Sequence, residues 1–152
     1  MTRRHLIIAA TFGSAGLLLG AFVFQHFGGL APCKMCIWQR YPHGIAIFAG
    51  IVAFFLPMTL WLLIGAASAA TTAAIGFYHV GVEQGWWQGP TTCTSGPIDG
   101  LSADDLLDQI LAAPLVRCDD IPWQMLGISM AGWNGILSAG LTVIWIAAIY
   151  RR

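Results

Sequence analysis

Four residues in the sequence are suited to redox chemistry: Cys33, Cys36, Cys93 and Cys118. Cys33 and Cys36 form a Cys-x-x-Cys unit, whose sulfurs can reach one another and form a redox-active disulfide. Cys93 and Cys118 share a later segment, so the natural pairs are Cys33 with Cys36 and Cys93 with Cys118. An even number of cysteines suggests disulfides in an oxidising compartment. Three other readings compete. Zinc could bind four thiolates, but the usual second paired knuckle is missing. A c-type haem needs His after the second cysteine, and Ile37 stands there. Two structural disulfides are the remaining reading, although a Cys-x-x-Cys loop is too short to constrain the unfolded chain much.

Cys36 precedes a long apolar run, where a helix N-terminus would stabilise a thiolate. Arg40 follows one turn later and can share that face. An arginine there can be a snorkelling anchor. Its spacing from Cys36 favours a role in holding an anion or a polar headgroup.

The composition says what positions these groups. The chain has 152 residues, 57% hydrophobic and only 9% charged, against roughly 25% charged in a soluble domain. No Lys, Arg, Asp or Glu occurs from His5 to Cys33, from Tyr41 to Val82, or from Ile121 to Tyr150. A spanning helix needs about 20 residues. The first and last runs hold one helix each, and the middle run holds two around a turn at Pro57-Met58. The expectation is an all-α bundle of four transmembrane helices at about 6–26, 38–56, 59–79 and 127–149. Loops at 27–37 and 80–126 carry all four cysteines. A cleaved signal peptide is the lesser reading of the first run, because Pro32 suits a cleavage site poorly and the run is long.

All seven acids lie between Glu83 and Asp120, whereas Arg3, Arg4, Arg151 and Arg152 sit at the chain ends. The positive-inside rule puts those ends in the cytoplasm and the cysteine loops outside. Lys34, Arg40 and Arg117 vote the other way. In the second loop Trp86-Trp87 suit a membrane interface, and Gly89-Pro90 and Gly96-Pro97 mark turns. Ser102 with Asp105 resembles a capping box. Leu106, Leu107, Ile110 and Leu111 then share one side of a short amphipathic helix, which could lie on the bilayer or pack on protein.

The run Phe24-Gln25-His26, then Pro32-Cys33-Lys34-Met35-Cys36-Ile37-Trp38-Gln39-Arg40, resembles the first loop of the DsbB family of disulfide bond formation proteins. Tyr78-His79 at the close of the third span, Trp86-Trp87 and Pro90 before Cys93 continue the likeness. So do Pro122-Trp123, Leu126-Gly127, Ser129-Met130 and Asn134 after Cys118. The resemblance covers nearly the whole chain. It implies one integral membrane domain over 1–152 in the bacterial inner membrane, with a long periplasmic loop carrying the amphipathic helix at 102–112. It also implies bound ubiquinone or menaquinone and a periplasmic DsbA-like thioredoxin-fold partner, with no nucleic acid and no metal.

By motif, Cys33 and Cys36 would be the quinone-linked pair, and Cys93 and Cys118 the partner-facing pair. Arg40 matches the family's quinone-side arginine, and His79 and Met130 match positions near the quinone. Two departures stand out. The ground around the loop helix is variable, and the Pro57 turn lacks basic residues. Two rivals differ in what they require. A vitamin K epoxide reductase-like enzyme would place its loop pair first in the chain, and here the Cys-x-x-Cys comes first. A non-catalytic tetraspan zinc protein would hold metal and show no thiol oxidation.

Overall fold

A computed structural model describes residues 2–56, 58–94, 102–112 and 116–151. Its elements in chain order are α1 (Arg3–His26), α2 (Lys34–Phe55), α3 (Thr59–Glu83), α4 (Ala103–Ala112), β1 (Gln124–Met125), β2 (Ile128–Ser129) and α5 (Met130–Tyr150). The four long helices pack α1 on α2, α2 on α3, α3 on α5 and α5 back on α1. The fold is therefore mainly helical. α1, α3 and α5 are long and apolar enough to cross a membrane. α2 matches them in length at 22 residues, but Gln39, Arg40, Pro42 and His43 interrupt its apolar run.

The starts and stops follow local chemistry. Cys33 caps α2, its sulfur accepting from the Cys36 backbone N–H at 3.1 Å. This consumes one of the orphan donors of the first turn. α3 runs on to Glu83, so His79 lies one turn inside the helix rather than at its end. Gly85 at φ +69° then turns the chain, and the Trp86 N–H bonds back to the Gly81 carbonyl at 2.8 Å, a left-handed C-terminal cap that glycine favours. The Trp87 indole donates to the Tyr78 carbonyl at 2.9 Å and stacks on the Tyr78 ring. The loop thus leaves α3 pinned against it.

α5 begins at Met130, three residues later than the sequence pattern places it. The difference is a hairpin that the pattern does not reveal. β1 and β2 pair antiparallel, Gln124 with Ser129 and Met125 with Ile128. Leu126 at φ 54° and Gly127 at φ 76° make the turn, a primed geometry that suits Gly and strains Leu. Ser129 then caps α5, accepting from the Gly132 N–H at 3.1 Å.

In the loop, Pro90 opens the expected turn, with the Cys93 and Thr94 N–H groups bonding to its carbonyl. Gly96-Pro97 and Pro57 lie outside the described residues. α4 forms where the sequence pattern puts a helix. Of its apolar face, Leu107 and Leu111 are exposed, and the side chains of Leu106 and Ile110 lie outside the described residues.

Two buried clusters organise the bundle. One is hydrocarbon, built from Ile7, Ala53, Leu62, Leu141 and Trp145 among others. Small residues allow its close packing: a Cβ on Gly65 would sit 2.7 Å from the Trp145 ring, and one on Gly76 would sit 2.9 Å from the Gly135 backbone. Membrane helices use such small residues to bring backbones together. The other cluster is rich in sulfur: Cys33, Met35, Val82, Cys93 and Cys118, with Cys36 and Val116 against it.

Candidate functional site

The site grows from the mouth of α2. Cys33, as cap, and Cys36, in the first turn, bring their sulfurs to 2.6 Å, with the Cys33 thiol donating. Both are free, whereas Cys93 and Cys118 are joined as a disulfide. The hydrogen bond to Cys36, together with burial, pushes the Cys33 thiol well above the ordinary thiol range. A proton held there leaves the Cys36 sulfur as acceptor.

The two pairs meet across His79. The Cys33 and Cys118 sulfurs and a ring nitrogen of His79 all lie within 4.8 Å of one another. His79 Nε2 donates to the Cys118 carbonyl at 3.0 Å and lies 3.7 Å from the Cys33 sulfur. Its other nitrogen, Nδ1, accepts from the Gln39 amide at 3.0 Å, which fixes the tautomer. Glu83 Oε1 is 4.0 Å from the same Nε2, and the other carboxyl oxygen accepts from the Ser129 hydroxyl. The Cys118 N–H donates to the Cys93 carbonyl at 2.7 Å. Cys33, Cys93 and Cys118 are all buried, Cys93 at 1% exposure.

A cavity of about 410 Å3 opens on the other side of Cys36, between α1, α2 and α5. Cys36, Arg40, His43, Trp123, Met130 and Asn134 contribute to its walls, which are otherwise largely apolar. Arg40 is aimed by α1: Nη1 donates to Gln25 Oε1 at 2.5 Å, and the guanidinium lies 5.1 Å from the centre of the Phe22 ring. A chain of hydrogen bonds ties together polar residues of the cavity wall. Asn134 Nδ2 donates to Gln39 Oε1 at 2.7 Å, and His43 Nε2 donates to Asn134 Oδ1 at 2.9 Å. Thr72 anchors the chain by donating to the Gln39 carbonyl at 3.0 Å.

The sequence-derived site residues fall into two neighbouring groups. Cys36, Arg40 and Met130 share the cavity. Cys33, Cys93, Cys118 and His79 share the sulfur cluster, with His79 behind Cys33 and not on the cavity wall. Gln25, Gln39, His43, Glu83 and Asn134 are additional polar partners. Gln25, Gln39 and Asn134 stand among the residues that carry the family resemblance, while His43 and Glu83 show in sequence only as polar groups within or at the edge of an apolar run, which in a membrane marks function or pairing.

The arrangement can exchange a disulfide on one side of Cys36 and serve an apolar redox molecule on the other. The chain matches the family described as Disulfide bond formation protein DsbB over residues 3–148. The chain belongs to the DsbB family. It resembles Disulfide bond formation protein B of Verminephrobacter eiseniae at 30% identity, covering 99% of this chain and 88% of the relative. The relative from Shewanella frigidimarina is 34% identical over 86% of this chain and 80% of its own length. That from Idiomarina loihiensis is 33% identical over 88% and 77%. DsbB-family membership makes the chain a disulfide-forming thiol oxidoreductase, multi-pass in the bacterial inner membrane and quinone-linked. It decides against both the non-catalytic zinc protein and the vitamin K epoxide reductase-like enzyme.

The cavity suits a quinone by its own chemistry. Arg40 Nε is buried without a hydrogen-bond partner, and Arg40 belongs to its wall. Unpartnered buried polar atoms are costly. The carbonyl oxygens of a quinone would accept from the arginine, and its ring would find apolar walls between Trp123 and Met130.

Proposed function

We propose that the Cys93–Cys118 disulfide oxidises the dithiol of a periplasmic, DsbA-like thioredoxin-fold protein and passes the two electrons to Cys33–Cys36, which give them to a quinone held beside Arg40. One observation carries this reading: the Cys33 sulfur lies within 4.8 Å of the Cys118 sulfur, while Cys36, one turn away, lines the cavity.

The exchange balances as follows. A partner thiolate attacks the Cys93 sulfur; the Cys93–Cys118 bond breaks and Cys118 leaves as thiolate. Cys118 attacks Cys33 of the oxidised Cys33–Cys36 pair, releasing the Cys36 thiolate. The partner's second thiolate closes the partner's own disulfide and frees Cys93. Cys93 then attacks Cys118, restoring that disulfide and releasing Cys33. The net result is an oxidised partner and a Cys33–Cys36 dithiol. Cys93 is buried, so the first attack needs the short turn at Pro90–Thr94 to swing outward.

Gln25 and Phe22 hold Arg40 toward the cavity, where its guanidinium would bind a quinone oxygen. Met130 and Trp123 would exclude water from the ring. His79 would hold the Cys118 backbone beside the Cys33 sulfur, on the side away from the cavity, with its Nε2 proton on the Cys118 carbonyl. A quinone bound there supplies the high-potential acceptor for two electrons and two protons, which a partner near −120 mV requires.

The topology belongs to the same proposal. α2 is the fourth span, residues 1–152 form one membrane domain, both ends are cytoplasmic, and the cysteine loops are periplasmic. The test is oxidation of a reduced thioredoxin-fold dithiol by the purified chain with and without quinone. One partner disulfide should form per quinone reduced. Partner oxidation continuing past two equivalents, one for each disulfide of the chain, without quinone or oxygen would contradict the reading.

A further inference from the structure

A second cavity lies away from the sulfur cluster. This groove of about 400 Å3 runs between α1 and α2, lined by Ile7, Thr11, Ala15, Gly50, Ile51 and Phe54 among others. Its surface is almost wholly hydrocarbon, because the Thr11 hydroxyl is already donated to the Ile7 carbonyl at 2.7 Å. At its floor α1 and α2 touch closely enough that a Cβ on Gly50 would overlap Thr11.

The groove has a cationic end. Helix neighbours at i and i+4 share a face, so Arg3 and Arg4 stand one turn beyond Ile7 and Ile8, which also line the groove. The Arg4 guanidinium lies 5.7 Å from the centre of the Phe54 ring, on the groove's other wall. Arg3 Nε is buried with no hydrogen-bond partner. Among the described residues neither arginine has a carboxylate partner. All seven acids lie between Glu83 and Asp120. From Arg4 to Ala15, α1 rises roughly 16 Å at about 1.5 Å per residue. That is one leaflet of a hydrocarbon core about 30 Å thick.

We propose that this groove binds an anionic phospholipid, with one acyl chain between α1 and α2 and the phosphate at Arg3 and Arg4. Charge chooses the occupant. Two guanidiniums with no carboxylate partner among the described residues attract an anionic headgroup at a membrane surface, and a zwitterionic lipid brings its own cation to the same place. A quinone tail would fill the hydrocarbon part and leave both arginines unmet. The inference needs only that the chain spans a membrane and does not rest on the electron path above.

The experiment is native mass spectrometry of the full chain in mild detergent, titrated with phosphatidylglycerol or phosphatidylcholine. Phosphatidylglycerol should bind roughly thirtyfold more tightly, from about 1 kcal/mol for each basic residue at the surface. An Arg3→Gln/Arg4→Gln variant should bring the two lipids level. Ala15→Phe, which fills the groove and spares the arginines, should weaken phosphatidylglycerol binding as well. All these variants should keep quinone-dependent thiol oxidation, which shows that they are folded. Equal affinity of the parent chain for the two lipids would overturn the proposal. So would a preference for phosphatidylglycerol that survives loss of both arginines, binding indifferent to Ala15→Phe, or displacement of phosphatidylglycerol by added ubiquinone.

Discussion

The two buried clusters of this bundle are made from opposite chemistries. The one around Trp145 is hydrocarbon apart from the indole nitrogen, which has no hydrogen-bond partner, and it is closed by glycines and alanines. The one around Cys118 holds four sulfurs, with an imidazole and a carboxyl close by. Side chains in the first can only pack. Those in the second can break and remake a covalent bond. Substitutions at the two ends should therefore separate stability from turnover, since no described residue belongs to both.

The largest expected effect is at the sulfur end. Cys36→Ser should abolish quinone reduction while one equivalent of partner dithiol is still oxidised by Cys93–Cys118 in a quench-and-alkylate assay. Quinone turnover at the parent rate would detach the cavity from the cysteines. Arg40→Ala should come next. It removes a charged donor, worth about 1.5–3 kcal/mol, so the Michaelis constant for quinone should rise roughly ten- to a hundredfold. An unchanged constant would make Arg40 a simple interfacial anchor.

At the hydrocarbon end, Trp145→Ala should cost about 3–5 kcal/mol of stability, read as a lower midpoint in thermal unfolding. The rate per folded molecule should stay within about twofold, because no reacting atom touches Trp145; a much larger drop would mean that the two ends are coupled. The smallest effect belongs to the ion pair beside Cys118. Arg117 donates to Asp119 from Nε at 3.0 Å and from Nη2 at 2.5 Å. The guanidinium holds the Asp119 carboxyl below its usual range. A depressed carboxylate adds stability that is present at neutral pH and is lost as pH falls through its folded value. The pair is exposed, so Arg117→Ala should cost under about 1 kcal/mol at pH 7, and the difference from the parent should vanish in strong acid.

Much of this contrast is legible in the sequence. Gaps between charges locate the long helices, since a charge in a span is costly and its absence is visible along one dimension. The four cysteines and Arg40 stand out for the same reason, as reactive or charged groups in an apolar chain. The polar partners do not. Gln39, Thr72 and Asn134 come from three helices, and only folding makes them a hydrogen-bonded chain. His79 is similar. Motif puts it near the quinone, while its place behind Cys33 depends on how far α3 extends and on the Cys118 carbonyl it meets. The hairpin before α5 is hidden because Leu126 takes a backbone conformation that its side chain disfavours.

The central claim is that Cys118 and Cys33 exchange electrons by direct contact. Mass spectrometry of disulfide-linked peptides tests it in a Cys36→Ser/Cys93→Ser chain exposed to a mild oxidant. With both natural partners removed, a Cys33–Cys118 disulfide should form in nearly every molecule. If both thiols instead remain free and open to alkylation, the two pairs do not meet and the electron path proposed here is wrong.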